Sequence, residues 1–247
     1  MAQGNSRNII VGAAAMYISA KDSLDPTFYT SSDSDIPSPA IPTLSSGVSA
    51  VSALDGSSAW RFTGYTQEGV EVAYEPDYGE VEVDQLLDAA KMYKQKMTMS
   101  VRTTLVEATL ENLMVAWAQS PNVSEGQAPS YKANGVGGLN DTTGFDQGGS
   151  AVTLNEGDEH LGMAAGALGI EPVERSLAFV GLSPRSKVDG KKRERIYHAR
   201  RSLQVESSTH GLKRAEATVF PVSFRLLPAS VSGAEYGSIR DRVITTA

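Results

Sequence analysis

Cysteine is absent from this chain. No disulfide can staple the fold and no thiolate can hold a metal, so stability rests on burial and backbone pairing and is indifferent to redox state. Histidine is scarce as well. His160, His198 and His210 are the whole supply, and no two of them stand at metal-ligand spacing. The run Asp158, Glu159, His160 is by itself a weak metal signal. No apolar stretch approaches the roughly 18 residues of a membrane-spanning helix. Aromatics are few, at 7% of the chain, which leaves little to stack a sugar or a base. Glycines cluster at residues 135–138 and 162–169, but neither cluster sits between an apolar strand and a helix, as a phosphate loop requires. A nucleophile elbow and a Walker-type lysine are missing too. No catalytic, cofactor-binding or metal-binding residue is assigned, no cofactor is expected, and the chain is read as structural and not as an enzyme.

What is present is strand-forming sequence with a divided charge. The 247 residues carry a net charge of -7, and 247 residues are enough for one sizeable core. Between Glu68 and Asp88 every charge is acidic: Glu68, Glu71, Glu75, Asp77, Glu80, Glu82, Asp84 and Asp88. Between Arg185 and Arg201 the balance reverses, with Arg185, Lys187, Lys191, Lys192, Arg193, Arg195, Arg200 and Arg201 against Asp189 and Glu194. Two blocks of opposite sign let copies of the chain meet acid to base. For any single charge a solvated face is the simpler reading. The acids repeat at period two, which describes a sheet face and not a converging carboxylate pair of the glycosidase kind. The basic block lacks interleaved aromatics apart from Tyr197, which argues against a nucleic-acid patch.

Periodicity organises the chain as a single domain of mainly β structure with one helix. Residues 8–19 read as a first strand; only Arg7 precedes their apolar core, and Tyr17 and Ser19 end it, which fits a strand better than an export signal. Residues 21–58 are rich in Ser, Asp and Pro and form a long arm or insertion. Residues 60–63 are a short strand closed by Gly64. Val70, Val72 and Tyr74 alternate with Glu71, Ala73 and Glu75, then Pro76, Asp77, Tyr78 and Gly79 read as a turn, and Val81 and Val83 alternate with Glu80, Glu82 and Asp84. The expected product is a hairpin with one apolar and one acidic face. A half-wet strand follows at residues 96–103. Then Val106, Leu110, Leu113, Met114 and Trp117 fall at i, i+4, i+7, i+8 and i+11, one helical stripe. Thr104 with Glu107 supplies a capping box and Pro121 an end. That stripe is expected to pack on a sheet, with Trp117 buried. A Gly-rich loop is expected at residues 127–149, strands at residues 171–182, 193–205 and 214–227, and a C-terminal extension at residues 228–247. Apolar phase shifts between Val219 and Phe220, and Pro221 points to an edge or a bend.

Several of these segments, in this order, resemble the major tail tube protein of long flexible-tailed bacteriophages. They are NIIVGAAAMYIS, WRFTGYTQEGVEVAYE, the EVEVDQ run, and a strand leading into LVEATLENLMVAWA. The likeness covers roughly residues 8–119 and is looser over residues 171–227, where strand order alone matches. It implies a β-sandwich or half-barrel flanked by one helix, whose strands join those of sister subunits in an oligomeric β-barrel. It implies a structural virion protein that forms hexameric rings stacked into the tail tube, the conduit for genome ejection. The partners implied are further copies of the chain, a tape-measure protein and transiting DNA in the lumen, and tail terminator and distal tail proteins at the ends, with no membrane. The location implied is the virion tail, and the host cytoplasm during assembly. On this reading Glu71, Glu75, Glu80, Glu82 and Asp84 are candidates to face the lumen and repel DNA. Arg185, Lys187, Lys191, Lys192, Arg193 and Arg195 are candidates to meet a neighbouring subunit. A carbohydrate- or receptor-binding β-sandwich is the reading from another class.

Overall fold

A computed structural model describes residues 10, 12, 14–19, 60–82, 90–118, 131–135, 142–147, 150–163, 173–185, 190–229 and 233–244. The arm at residues 21–58, Asp84, Lys187 and Pro121 lie outside the described residues. Within them the chain is mostly strand with one helix. The strands are β1 (Ala15–Ser19), β2 (Trp60–Phe62), β3 (Thr66–Val81), β4 (Lys91–Leu105), β5 (Tyr131–Ala133), β6 (Thr143–Gln147), β7 (Ser150–Thr153), β8 (Glu159–Leu161), β9 (Glu174–Ser183), β10 (Arg193–Gln204), β11 (Phe220–Leu227) and β12 (Gly237–Val243). The helix α1 is Leu110–Ala116.

One eight-stranded antiparallel sheet organises the fold, in the order β2-β1-β9-β10-β11-β4-β3, with β12 also on β10. Strand β10 divides it. Its residues 193–199 pair with β9 on one side and β12 on the other, whereas residues 201–204 pair with β11. The register against β9 shifts between Ala199 and Ser202, and a bulge of this kind bends a strand. Among the described residues no sheet closes into a barrel. Among the described residues there are also two small two-stranded sheets, β5-β8 and β6-β7.

Period-two alternation puts the core where the apolar residues are. Met16, Ile18, Leu177, Phe179, Val101, Leu105, Phe220, Val222, Phe224 and Leu226 form one face, joined by Val115 and Ala116 of the helix. Tyr17, Trp60, Ala178, Val180 and Ile196 pack on the opposite face. Strands β1, β9 and β10 therefore have buried residues on both sides; the middles of β1 and β9 read as short apolar runs, whereas β10 buries Glu194, His198, Arg200 and Ser202 among its apolar residues.

Several sequence expectations are corrected. Residues 76–79 are not a turn. Strand β3 runs straight through them, pairing Pro76 with Met97 and Gly79 with Tyr93. It is the last strand of the sheet, and an edge is where a proline is tolerated. A register shift opposite Asp77 and Tyr78, which leaves Gln95 unpaired on β4, absorbs the irregularity. Because no turn intervenes, parity is conserved along the strand. Glu71 and Glu75 fall on one face; Glu80, with Tyr74 and Tyr78, falls on the other, and Glu82 just past the strand end is outside the pairing. The single acidic face does not exist.

The helix is shorter than its apolar stripe. Thr104 belongs to β4, paired with Gln67 and Pro221, and the cap is Thr109, whose hydroxyl accepts from the Asn112 amide at 3.2 Å. Two Thr-x-x-polar frames compete here, and strand pairing through Leu105 takes the first. Glu107 instead accepts from the Tyr65 amide at 3.1 Å. Val106 precedes the helix. Met114 is buried, but Leu110, Leu113 and Trp117 are half-buried, and the fully covered helix positions include Glu111 and Asn112. The helix lies between the large sheet and β5-β8: Leu113 and Trp117 meet the main core, while Met114 and Leu110 pack with Ala133 and Leu161. Asn112 donates to the carbonyls of Thr63 and Glu107, both at 2.9 Å, and Glu111 holds Arg61 at 2.8 Å.

The expected Gly-rich loop contains β5 and β6, and the C-terminal extension supplies β12 to the main sheet. The strand expected from residue 214 begins at Phe220, where the apolar phase shift lies. Pro221 sits where β11 has β4 alone beside it, beyond its pairing with β10, so its missing donor does no harm there.

Candidate assembly surface

The feature without an internal explanation is the far end of the β3-β4 hairpin. Strand β4 pairs with β11 only over residues 100–105. Beyond that point, among the described residues, 74–81 and 91–99 pair solely with each other, a two-stranded ribbon of about 30 Å at ~3.3 Å per residue. A ribbon of two strands is marginal in water by itself.

Its composition does not suit solvent. The face carrying Val70, Val72, Tyr74, Pro76 and Tyr78, with Val101, Met99, Met97, Lys94 and Met92 across from them, is the core-facing side of the sheet continued outward. Val101 is buried and Val70 and Met99 still touch the core, but Tyr74 is 53%, Tyr78 51% and Met92 59% exposed. The core face runs out past the core. On the other face Val81 and Tyr93 are exposed as well. Lys94 lies 5.3 Å from the Tyr74 ring centroid and donates to its hydroxyl at 3.0 Å, so its stem and charge partly cover that ring.

The acidic block meets its opposite within the same hairpin. Strand β3 contributes Glu68, Glu71, Glu75, Asp77 and Glu80 and no base; β4 contributes Lys91, Lys94, Lys96 and Arg102 and no acid. Glu71 stands opposite Arg102 and Asp77 opposite Lys96. Arg102 also reaches Glu206 at 2.9 Å, at one side of a groove of about 250 Å³ lined by Glu68, Glu71, Thr103 and Ser223 among others. The groove is made by the bulge at Glu68 and Gly69, where both residues have positive φ.

Four of the eight basic residues in the block, Arg193, Arg195, Arg200 and Arg201, are engaged inside the subunit. Arg195 binds Asp241 through two bonds, at 2.7 and 3.0 Å, and this pairing holds the Asp241 carboxyl below its ordinary range. Arg193 donates to the Asp241 carbonyl at 3.3 Å, Arg201 forks onto Glu174 at 2.6 Å, and Arg200 donates to the Ala234 carbonyl. These bonds clamp β12 and β9 to β10. Arg185, Lys191 and Lys192 are exposed at the end of the β9-β10 hairpin. Sequence reasoning missed the clamp because Asp241 lies far along the chain, in a segment without a strong strand pattern.

Two of the histidines, His198 and His210, pack against aromatic rings. His210 lies 5.9 Å from Trp117 and 5.0 Å from Phe220, centroid to centroid. His198 is buried edge-on to Trp60 at 5.8 Å, and neither ring nitrogen has a hydrogen-bond partner. Burial, helped by Arg200, lowers its pKa to about 3. Under the helix, Glu159 of β8 is pushed up by burial and by Glu111, with Arg61 opposing. No group of three or more His, Asp or Glu that could hold a metal occurs among the described residues, and no described helix is long and apolar enough to cross a membrane.

No protein-family model matches the chain, and no curated protein matches it in sequence.

Proposed function

We propose that this chain is a structural subunit that polymerises with copies of itself, as the tail tube protein of a long flexible-tailed bacteriophage: hexameric rings stacked into a conduit for genome ejection, around a tape-measure protein and later DNA. One observation carries the reading. The β3-β4 ribbon extends the core face of the sheet about 30 Å beyond the body, at ~3.3 Å per residue, with Tyr74, Tyr78 and Met92 uncovered on it. Monomeric proteins blunt or cover such ribbons; an assembly covers them with the next subunit. The segments that resemble tail tube proteins include this same ribbon. Acid repulsion of DNA does not form part of the reading, because the acids divide between two faces and lie beside Lys96 and Arg102.

Size-exclusion chromatography with negative-stain imaging of the purified protein tests it. Rings or tubes are expected, and a Tyr74→Ser, Tyr78→Ser, Met92→Ser variant is expected to remain monomeric while keeping its circular dichroism. A wild-type protein that stays monomeric at high concentration sinks the reading. The same exposed tyrosines are what a carbohydrate- or receptor-binding β-sandwich would use, and discrete monomers that bind a glycan array would favour that alternative.

A further inference from the structure

The seam between the helix and the small β5-β8 sheet holds more negative charge than positive. Its apolar part is Leu110 and Met114 of α1 against Ala133 and Leu161. Alternate residues of a strand share a face, so Glu159 lies on the same side of β8 as Leu161, toward the helix. The helix carries one charge, Glu111, which is bonded to Arg61 of β2 at 2.8 Å. The same guanidinium nitrogen donates to the Thr109 hydroxyl at 3.4 Å. Arg61 is only 1% exposed, so solvent screens this cluster poorly. The remaining charges do not relieve it. Lys132 of β5 stands opposite His160 on the far face of the small sheet, where the His160 ring lies against Gly144 of β6. Asp158 accepts from the Asn155 backbone and side-chain amides at 2.8 and 3.0 Å. Among the described residues, Glu159 therefore faces one guanidinium already shared with a second carboxylate.

We propose that the β5-β8 sheet is a proton-set latch, which closes tightly on the helix when the Glu159 carboxyl is neutral and loosens when it ionises. The neutral acid brings no charge into the seam, so Ala133 and Leu161 seat fully on Leu110 and Met114. Ionisation sets a second carboxylate against Glu111 in a partly dehydrated contact, where repulsion and lost hydration both oppose closure. Burial and Glu111 hold the closed carboxyl above its ordinary range, against the pull of Arg61. With the sheet released it returns to the ordinary range, near ~4.3. Closure is therefore strongest below that range and is lost as pH rises through the raised value. This sign is opposite to that of His198, whose buried neutral ring weakens the whole fold as pH falls. The loosening stays local, because among the described residues β5-β8 shares no strand pairing with the large sheet and opens without breaking its ladder. The latch does not depend on the self-assembly reading.

Amide hydrogen exchange of the full chain, read by mass spectrometry with each rate divided by its intrinsic rate at that pH, tests the latch. In the wild type, protection of residues 131–135 and 154–161 is expected to fall severalfold between pH 5 and pH 8, while β9 shows no such fall. In Glu159→Gln, a neutral side chain of the same shape, those residues are expected to keep their pH 5 protection throughout. A wild-type profile that is flat or rises over this range overturns the latch, whether or not the variant folds. An equal fall in the wild type and in folded Glu159→Gln also overturns it, because a different group would then be titrating.

Discussion

Lowering the pH from 7 to 4 should weaken the fold through His198. Its imidazole is buried with both nitrogens unpartnered, and its pKa is lowered to about 3 by burial and by Arg200. In the unfolded chain the same group titrates near 6.5. The folded form therefore resists a proton that the unfolded form accepts between those values. Stability from this source is complete above pH ~6.5 and declines as pH falls toward 3, at ~1.4 kcal/mol per pH unit. Integrated from pH 7 to pH 4, the loss is about 3 kcal/mol, and over the whole window it approaches 5 kcal/mol. Urea titrations followed by tryptophan fluorescence read it directly, since Trp60 lies against the ring. The comparison is with His198→Leu, which cannot titrate. Asp241, Glu159 and the other carboxylates remain in both proteins, so their contributions cancel in the difference. The variant should lose about 3 kcal/mol less than the wild type between pH 7 and 4, and at pH 7 it should be no less stable by more than ~1 kcal/mol, because no hydrogen bond is removed. Parallel stability profiles for the two proteins would refute the assignment of His198 as a buried neutral ring.

Two further outcomes follow from the helix and its anchor. Removing the Glu111 carboxylate from buried Arg61, as Glu111→Ala, should cost about 3–5 kcal/mol in chemical denaturation, whereas Arg61→Met with Glu111→Leu should recover much of the loss; a single-variant loss below ~1 kcal/mol would show the pair to be solvated. Thr109→Ala should cost about 0.5–2 kcal/mol through the lost cap, and the Thr104 hydroxyl should contribute nothing to helix content; a helix signal that responds to Thr104→Val and ignores Thr109→Ala would restore the cap expected from sequence.

The strands with both faces buried were the most legible. The runs around Met16 and Phe179 announce themselves, because their strands are covered on two sides and are apolar at most central positions; β11 around Phe224 is marked instead by alternation, with Pro221 and Arg225 exposed. The helix was legible in kind but not in extent. Both Thr104 and Thr109 offer a cap, and local chemistry does not rank them; pairing of β4 with β11 and β3 does. The turn expected at Pro76 and Gly79 fails for a related reason. Those residues are good turn formers, yet a partner strand of matching length at residues 91–99 holds them extended. The charge blocks were visible as composition, but their pairing was not. Asp241 reaches Arg195 only through β12, and the β3 acids meet β4 bases only once the register is set.

Sequence alone decided that this is a cysteine-free, mainly β chain with an amphipathic helix, an acidic strand and a basic one, because period and charge are properties of neighbouring residues. Tertiary structure decided which acids share a face, where the helix begins, and that the core face of the sheet continues into an uncovered ribbon. Those depend on strand register, and register is a relation between segments far apart along the chain.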